Sequence, residues 1–483
     1  MSRAIRNSDR KTTGAFEWLF AICFAAGILC SLILAMGERP VIYEFIPLLP
    51  LSFSVFCTLL LAPLFLRDRS WTVLIVYVCC FLRYVVLPVI LCSDPCYSIS
   101  LYQPTSEGVG SAILFMVYEL LFISIGFAIY GLLVHKRIDS KAVSAMQEPA
   151  GVVFALFVFA ALVIFVVFPE SRQGLSFISI DAGTGARTGG LKSTFGNVTR
   201  QLVLIGMLMA FVLFSTWCSR KASETGSARY YWMALMAALL CVCVVVDEKR
   251  SVQVYSAFAV IVLLTKLFPG KARRTVGLVA GLAFALVALL TIYKNFYVFN
   301  YASYADALAN SNGFAGVGKT AELYLLGPVS VAAGLNESLA DAQSLGSLLY
   351  DFARSFIGLS FFVKGSDFTA AGAMYNQFVS GGTSASGFLL PISVEGGTCT
   401  FLALGPALTL GFLLFALFLE RKMRNATSPV VIFYIAYVYI RMATCLVSAA
   451  VSSVILSFSS VIVIVGALWL AQRLLSKKGR VVQ

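Results

Sequence analysis

The sequence predicts an all-α polytopic membrane protein with about twelve transmembrane helices and two large loops on one face. Of its 483 residues 59% are hydrophobic and only 12% are charged, and the mean hydropathy is +0.89. Apolar runs of about 17 to 25 residues recur along the chain, and about 20 residues suffice to cross the hydrocarbon core of a bilayer. These observations exclude a soluble protein.

The first apolar run follows a polar, basic start, Met1 to Lys11, and no small-residue cleavage site comes after it. We therefore expect a retained first span and not a signal peptide. The apolar runs predict spans near residues 15–36, 45–66, 71–92, 109–134, 150–168, 199–218, 230–246, 251–268, 275–293, 397–419, 428–449 and 452–472.

The basic residues indicate how the chain lies in the membrane. The formal net charge is +13, but about two thirds of the lysines and arginines fall in the termini and in the short connections on one side, which is the positive-inside pattern. We therefore expect both termini in the cytoplasm and no nucleic-acid partner. Arg220-Lys221 and Arg421-Lys422-Met423-Arg424 are interpreted as topology anchors.

The predicted spans divide the chain into five parts. These are N-terminal helices in 1–168, a first outer loop in 169–198, helices in 199–293, a large outer loop in 294–396, and the last helices with a cytoplasmic tail in 397–483. The large loop shows no alternation typical of a soluble domain, and Leu345–Val363 is apolar enough to meet the membrane. We expect a lid or re-entrant element, which is tolerated at membrane depth beside a polar cavity.

Each large loop contains an arginine followed, after ten residues, by a glycine: Arg172 with Gly183, and Arg354 with Gly365. The large loop also holds Tyr324-Leu325-Leu326-Gly327-Pro328, and it ends in Ser393-Val394-Glu395-Gly396-Gly397. A tight outer hairpin carries Lys249-Arg250.

These motifs, the number of spans and the position of the loops resemble the Wzy-type polymerases of O-antigen and capsular polysaccharide over nearly the whole chain. The resemblance implies a GT-C-like membrane glycosyltransferase. Such an enzyme joins undecaprenyl-diphosphate-linked oligosaccharide units on the outer face of the bacterial cytoplasmic membrane, and a chain-length regulator is a possible partner. No cofactor is implied, and since the sequence has no Asp-x-Asp motif we expect metal-independent transfer.

The chemistry of this transfer suggests the candidate residues. A leaving diphosphate is stabilised by guanidinium groups, which bind phosphate oxygens in a bidentate manner. The acceptor hydroxyl needs a base. The catalytic candidates are Arg172, Arg354, Asp181, Glu395 and Arg250. The substrate-binding candidates are Arg187, Arg441, Lys249, Glu322 and Tyr324.

Two charges within neighbouring spans, Arg83 and Glu119, lie at similar depth and predict an ion pair, since a charge at the bilayer centre costs several kcal/mol, on the order of 3 or more, unless it is paired. Asp351 precedes Arg354 by one helical turn, and we interpret it as a helix-face partner of that arginine.

Alternatives remain. A secondary transporter or a lipid-oligosaccharide flippase fits the number of spans, although no internal repeat is found. An O-antigen ligase is disfavoured because the single histidine, His135, lies on the inner side. Gly313–Thr320 matches a P-loop pattern, but it lacks the preceding strand that such a loop needs. Cys92 and Cys96 could form a disulfide, which spacing alone does not decide.

Overall fold

The computed structural model describes residues 2–133, 151–168, 171, 194–243, 250–296, 316–363, 367–382, 387–447 and 449–481. In these residues the chain is helical apart from turns and one isolated bridge between Ile99 and Tyr102, and no sheet forms. Eight of the described helices are long and apolar enough to cross a membrane. An all-α, multi-pass membrane protein is therefore confirmed.

The eight long helices coincide with eight of the predicted spans. They are Gly14–Met36, Val41–Asp68, Trp71–Ser93, Ser106–Leu133, Val198–Thr225, Pro269–Leu289, Leu402–Asn425 and Val451–Leu475. The other predicted spans fall on apolar helices of 10–17 residues, namely Val152–Val167, Arg229–Val242, Gln253–Leu267 and Pro429–Ala443. Because these helices are short, a total of twelve spans stays a prediction.

The N-terminal helices are α1 (Ser2–Met36), α2 (Leu48–Ser52), α3 (Leu59–Asp68), α4 (Trp71–Phe81), α5 (Leu87–Ser93) and α6 (Ser106–Leu133). The next are α7 (Val152–Val167), α8 (Thr194–Thr225), α9 (Arg229–Val242), α10 (Arg250–Leu267) and α11 (Ala272–Phe296). Short helices follow, α12 (Val317–Leu325), α13 (Pro328–Leu335), α14 (Glu337–Ala342), α15 (Leu345–Ser355), α16 (Ala371–Val379) and α17 (Ile392–Thr398). The last are α18 (Gly405–Asn425), α19 (Pro429–Ala443) and α20 (Val451–Val481).

Two boundaries differ from the prediction. The span predicted for 397–419 begins only at the 3₁₀ turn Leu402–Leu404 before α18, because α17 is a separate helix. The span predicted for 428–449 ends at Ala443. Hydrophobicity alone does not reveal such breaks, because apolar residues occur both in turns that are buried in the protein and in helices.

π-helical turns interrupt two of the long N-terminal helices, at Phe53–Thr58 and at Leu82–Val86. The second lies just before Pro88, which has no N–H to donate to the carbonyl of Tyr84. This loss loosens the regular hydrogen-bond ladder, and wider turns of this kind occur often at functional sites. Arg83 lies in this turn and is 1% exposed.

The contacts divide the chain into two compact units. The first consists of Met1–Asp139, Gly316–Arg421 and Arg441–Ser457. In it, α13 packs against α6, and its residues from Pro328 to Gly334 are all buried. The carboxylate of Glu420 accepts hydrogen bonds from the backbone N–H groups of Trp71 and Thr72, at 2.7 and 2.9 Å. This contact anchors α18 to the start of α4.

The second unit consists of Ser140–Ala315, Lys422–Ile440 and Phe458–Gln483. In it, α7 and α8 approach closely where Gly206 meets Ala161, since a Cβ on Gly206 would lie 2.2 Å from the Ala161 methyl. Small residues at such crossings let membrane helices pack backbone to backbone. The hydroxyl of Tyr434 donates to the carbonyl of Ile205 at 2.8 Å, joining α19 to α8.

Candidate functional site

The short helices of residues 316–398 are joined to the N-terminal bundle by buried carboxylates. Asp94 lies just after α5, and its Oδ2 accepts a hydrogen bond from the N–H of Gly318 at 2.8 Å, at the start of α12. Only glycine fits there, because a Cβ would lie 1.7 Å from the Asp94 carbonyl oxygen. The part of the P-loop-like match that is described, Gly316–Thr320, therefore presents its helix N-terminus to a carboxylate.

Glu322 likewise accepts a hydrogen bond at a helix N-terminus, that of the next helix, α13. Its Oε1 accepts a hydrogen bond from the N–H of Ser330 at 2.8 Å, which caps the N-terminus of α13. Glu322 is fully buried, and burial raises the pKa of its carboxyl to about 7. A helix N-terminus favours a negative charge, so hydrogen bonds from the cap offset part of the rise.

The cap explains the Tyr324–Pro328 motif. Leu326 has a left-handed φ of 51°, and the chain turns there from α12 into α13. Gly327 is required because a Cβ would lie 2.1 Å from Glu322 Oε2. Pro328 then starts α13 at a position where its missing N–H costs nothing. The motif is therefore accounted for by the turn, and Tyr324 itself is 39% exposed.

The predicted ion pair between Arg83 and Glu119 is confirmed. Arg83 Nη1 donates to Glu119 Oε2 at 2.8 Å, and both side chains are nearly inaccessible, at 2% and 3%. Arg83 Nε also donates to the carbonyl of Leu326 at 3.1 Å. The ion pair therefore holds the turn between α12 and α13 against the membrane helices.

Glu119 also holds α17. The hydroxyl of Ser393 donates to Glu119 Oε1 and forms a hydrogen bond with the Thr409 hydroxyl, the latter at 2.6 Å. Ser393 lies two residues before Glu395 on α17, while Thr409 lies on α18. One buried network thus connects both loop segments that carry predicted carboxylates.

Glu395 lies against Asp351. From the sequence, Asp351 is predicted only as a helix-face partner of Arg354. Their side chains are hydrogen-bonded, and they are 1% and 3% exposed. Asp351 Oδ2 also accepts from the N–H of Gly372 at 3.0 Å, at the start of α16. The backbone N–H of Val451, at the start of α20, reaches Glu395 in the same way, so both carboxyl groups lie at helix N-termini, which favour negative charge.

Burial acts on both carboxyl groups of the pair. Burial raises the pKa of the Glu395 carboxyl well above its ordinary value, and the neighbouring charge of Asp351 raises it further. Burial also raises the pKa of Asp351, while its backbone hydrogen bonds and the charge of Arg354 oppose the rise. Within the described part of the chain, Glu395 Oε1 has no hydrogen-bond partner. Two close carboxyl groups that share one proton form a unit able to exchange it.

The structure therefore links two of the predicted residues, Arg354 on α15 and Glu395 on α17, through Asp351. Arg354 lies exposed in the last turn of α15, and its charge acts on Asp351. Arg441 is buried in the last turn of α19. Arg250 begins α10, and its side chain is outside the described part. Four further candidates lie outside the described residues: Arg172, Asp181, Arg187 and Lys249.

Comparison with protein-family models, with curated proteins and with solved structures finds no match to this chain. The support for the candidate site therefore comes from its geometry alone. Cys92 and Cys96, whose pairing the sequence left open, are both free thiols.

Sequence reasoning missed Asp351 as a site residue, and it missed Ser393 and Thr409 as supports. No local pattern signals the pairing of Asp351 with Glu395, because the two residues belong to different short helices. The one available signal was an aspartate in the middle of a helix with three leucines and two aromatic residues.

Proposed function

We propose that the chain is a GT-C-like membrane glycosyltransferase that polymerises undecaprenyl-diphosphate-linked oligosaccharide units. The observation that supports this best is the arrangement of Arg354, Asp351 and Glu395, an exposed cation beside a buried pair of carboxyl groups. Transfer from a lipid diphosphate to a sugar hydroxyl requires both a positive charge for the leaving group and a proton acceptor for the hydroxyl.

In this reaction the hydroxyl oxygen of the acceptor sugar forms a bond to the anomeric carbon of the donor. The bond from that carbon to the diphosphate oxygen breaks, and the electron pair leaves with the diphosphate. The guanidinium of Arg354 stabilises the developing charge through bidentate hydrogen bonds. Arg172, Arg187, Arg250, Lys249 and Arg441 are further candidates for this role, and Tyr324 for a contact to sugar.

The hydroxyl proton passes to the carboxyl pair. We assign the acceptor role to Asp351, because its backbone hydrogen bonds and the charge of Arg354 oppose the rise of its pKa. We assign the retained proton to Glu395, whose pKa lies well above its ordinary value and which is hydrogen-bonded to Asp351. Glu322 remains a further candidate for the base, with one oxygen capping α13 as Oδ2 of Asp351 caps α16. Asp181 remains a candidate that the described residues do not test.

The proposed location is the cytoplasmic membrane of a bacterium, with both termini in the cytoplasm and the site facing outward. A chain-length regulator is a proposed partner. Deletion of the gene followed by gel electrophoresis of the surface polysaccharide tests the activity. Loss of the ladder with a single repeat unit retained is the expected result.

A proton-coupled transporter or flippase is a second candidate, and the buried carboxyl pair favours it because a shared proton can couple to transport. Sealed vesicles with labelled lipid-linked units distinguish the two functions. A polymerase lengthens the units without moving them across the bilayer, whereas a flippase moves them without lengthening them.

A further inference from the structure

Helix α15 exposes two of its three leucines and buries Ser347, Leu348 and Asp351. Leu345 and Leu349, one turn apart, are 54% and 60% exposed. The opposite side of the helix buries Ser347 and Asp351, each 3% exposed. A helix in water buries its leucines and exposes its carboxylates. The exposed leucines of α15 therefore indicate an apolar surrounding.

The apolar surface continues beyond α15. The 3₁₀ turn Leu359–Phe361 follows it, with Leu359 47% exposed, and the next residue, Phe362, is 84% exposed. Phe368 is 55% exposed, and its ring packs directly on the backbone of Gly346, where a Cβ would lie 2.3 Å from the ring edge. Exposed apolar residues that form one continuous patch mark an interaction surface.

Contact with a membrane helix shows at what depth this patch lies. The ring of Phe352 on α15 stacks on the ring of Phe412, with centroids 6.4 Å apart and planes inclined by 13°. Phe412 belongs to the candidate span Leu402–Asn425. At about 1.5 Å per residue it lies roughly 15 Å from the Leu402 end of that span. Since the hydrocarbon core is about 30 Å thick, Phe352 lies well inside it.

The span that Phe352 contacts also exposes apolar side chains at its start. Leu402 and Leu404, at the start of that span, are 47% and 58% exposed.

We infer that α15 and the turn after it form a re-entrant element whose exposed face, Leu345, Leu349, Leu359, Phe362 and Phe368, contacts the acyl chains of the bilayer. Asp351 on the opposite side of α15 then lies at the depth of these chains. Lipid contact at α15 does not depend on the proposed glycosyltransferase activity. An experiment can therefore disprove one of the two proposals while the other stands.

Photo-crosslinking of the full chain in phospholipid nanodiscs tests the lipid contact. Leu349 or Phe362 is replaced with p-benzoylphenylalanine, and lipid adducts are measured by intact-mass spectrometry after irradiation. Two positions serve as controls. Leu404, on a membrane helix, reports full lipid contact, and Asp341, exposed on the neighbouring helix α14, reports its absence.

The expected yield of lipid adduct at Leu349 and Phe362 is similar to that at Leu404 and at least several-fold above that at Asp341. A yield equal to that at Asp341 overturns the inference. Crosslinks to residues 172–193 of the same chain, or to a second copy, overturn it as well, because another occupant then covers the face. Phe362 keeps the test valid if the Leu349 variant does not fold.

Discussion

Four carboxylates of the first unit, three of them buried and Asp94 half-buried, have the same local function. Asp94, Glu322, Asp351 and Glu420 each accept a hydrogen bond from a backbone N–H at the start of a helix. Because the first N–H groups of a helix have no partner within it, a carboxylate from another element satisfies them and complements the helix dipole. Carboxylates are therefore the residues that fix the short helices in place.

Arg354 is the predicted site residue whose replacement is most informative, since it is exposed and its loss leaves the packing intact. We expect Arg354→Ala to reduce polymerisation roughly ten- to a hundredfold, because a charged hydrogen bond contributes about 1.5 to 3 kcal/mol. The activity of Arg354→Lys should lie between those of wild type and Arg354→Ala, since lysine keeps the charge but lacks the planar guanidinium fork. The measurement is the length of lipid-linked product made by purified protein.

Arg229→Lys is the matched control, because Arg229 is also exposed and lies over the ring of a neighbouring tyrosine. Its activity should be unchanged. If Arg354→Ala retains full activity at normal expression, Arg354 is only a helix-face partner of Asp351, and the site assignment is wrong.

Among the secondary-structure elements, the turn between α12 and α13 is the most constrained. It combines a left-handed Leu326, a glycine against a carboxylate, and a carbonyl bound by Arg83. Each contact fixes the same few residues, so a small change in shape there affects the whole turn.

We expect Gly327→Ala to destabilise the protein by about 1 to 3 kcal/mol, the usual effect of adding a methylene group where there is no space. The added Cβ displaces Glu322 from the cap of α13. Thermal unfolding in detergent measures the change. Gly411→Ala is the control, because no atom lies within 4 Å of its added Cβ. Gly411→Ala should be neutral or slightly stabilising. Equal effects at both positions would contradict the role of Gly327 in leaving room for the Glu322 cap.

Glu322 should also make stability depend on pH. Its pKa is raised from 4.5 to about 7 by burial, so the folded state binds more protons than the unfolded state between these values. Its contribution to stability is therefore present below the unfolded pKa and is lost as the pH rises through the folded pKa. We expect the Tm difference between wild type and Glu322→Gln to decrease from pH 5 to pH 8. A difference that is constant with pH would contradict this assignment.

In the whole molecule, the membrane topology depends on the four short apolar helices. Val152–Val167 has 16 residues and spans about 24 Å, less than the hydrocarbon core, although a locally thinner bilayer can accommodate it. If this helix crosses the membrane, as we predict, the end of α8 near Gly226 lies in the cytoplasm.

Reporter fusions after Gly226 test this. Green fluorescent protein should fluoresce there, and alkaline phosphatase should be inactive. The opposite pattern would show that α7 does not cross the membrane. Fusions at the C-terminus serve as the reference, since twelve spans and the eight longer spans alone both leave the two termini on the same side.

Much of the fold was predictable because membrane helices are specified locally. The runs that became α6 and α8 are continuous and apolar, and a bilayer of fixed thickness makes length alone informative. Arg83 and Glu119 were also predictable as a pair, since a buried charge within a span needs a partner and each lies at a similar depth.

The segment 316–398 was not predictable in the same way. Its helices are short, so their boundaries depend on which carboxylate reaches which helix N-terminus. The break between α17 and α18 illustrates this, because Gly405 approaches the backbone at Ser393 too closely for any Cβ. Nothing in the local hydrophobicity marks that contact.

The amino-acid sequence by itself therefore determined the membrane class, the long spans and the Arg83–Glu119 pair, since each follows from a requirement of the bilayer that acts on neighbouring residues. Only the tertiary structure decided that Asp351 meets Glu395, that Glu322 caps α13, and that α15 exposes leucines while it buries an aspartate. These features depend on contacts between helices far apart in sequence, where burial and a neighbouring charge change the chemistry of a side chain that composition cannot distinguish.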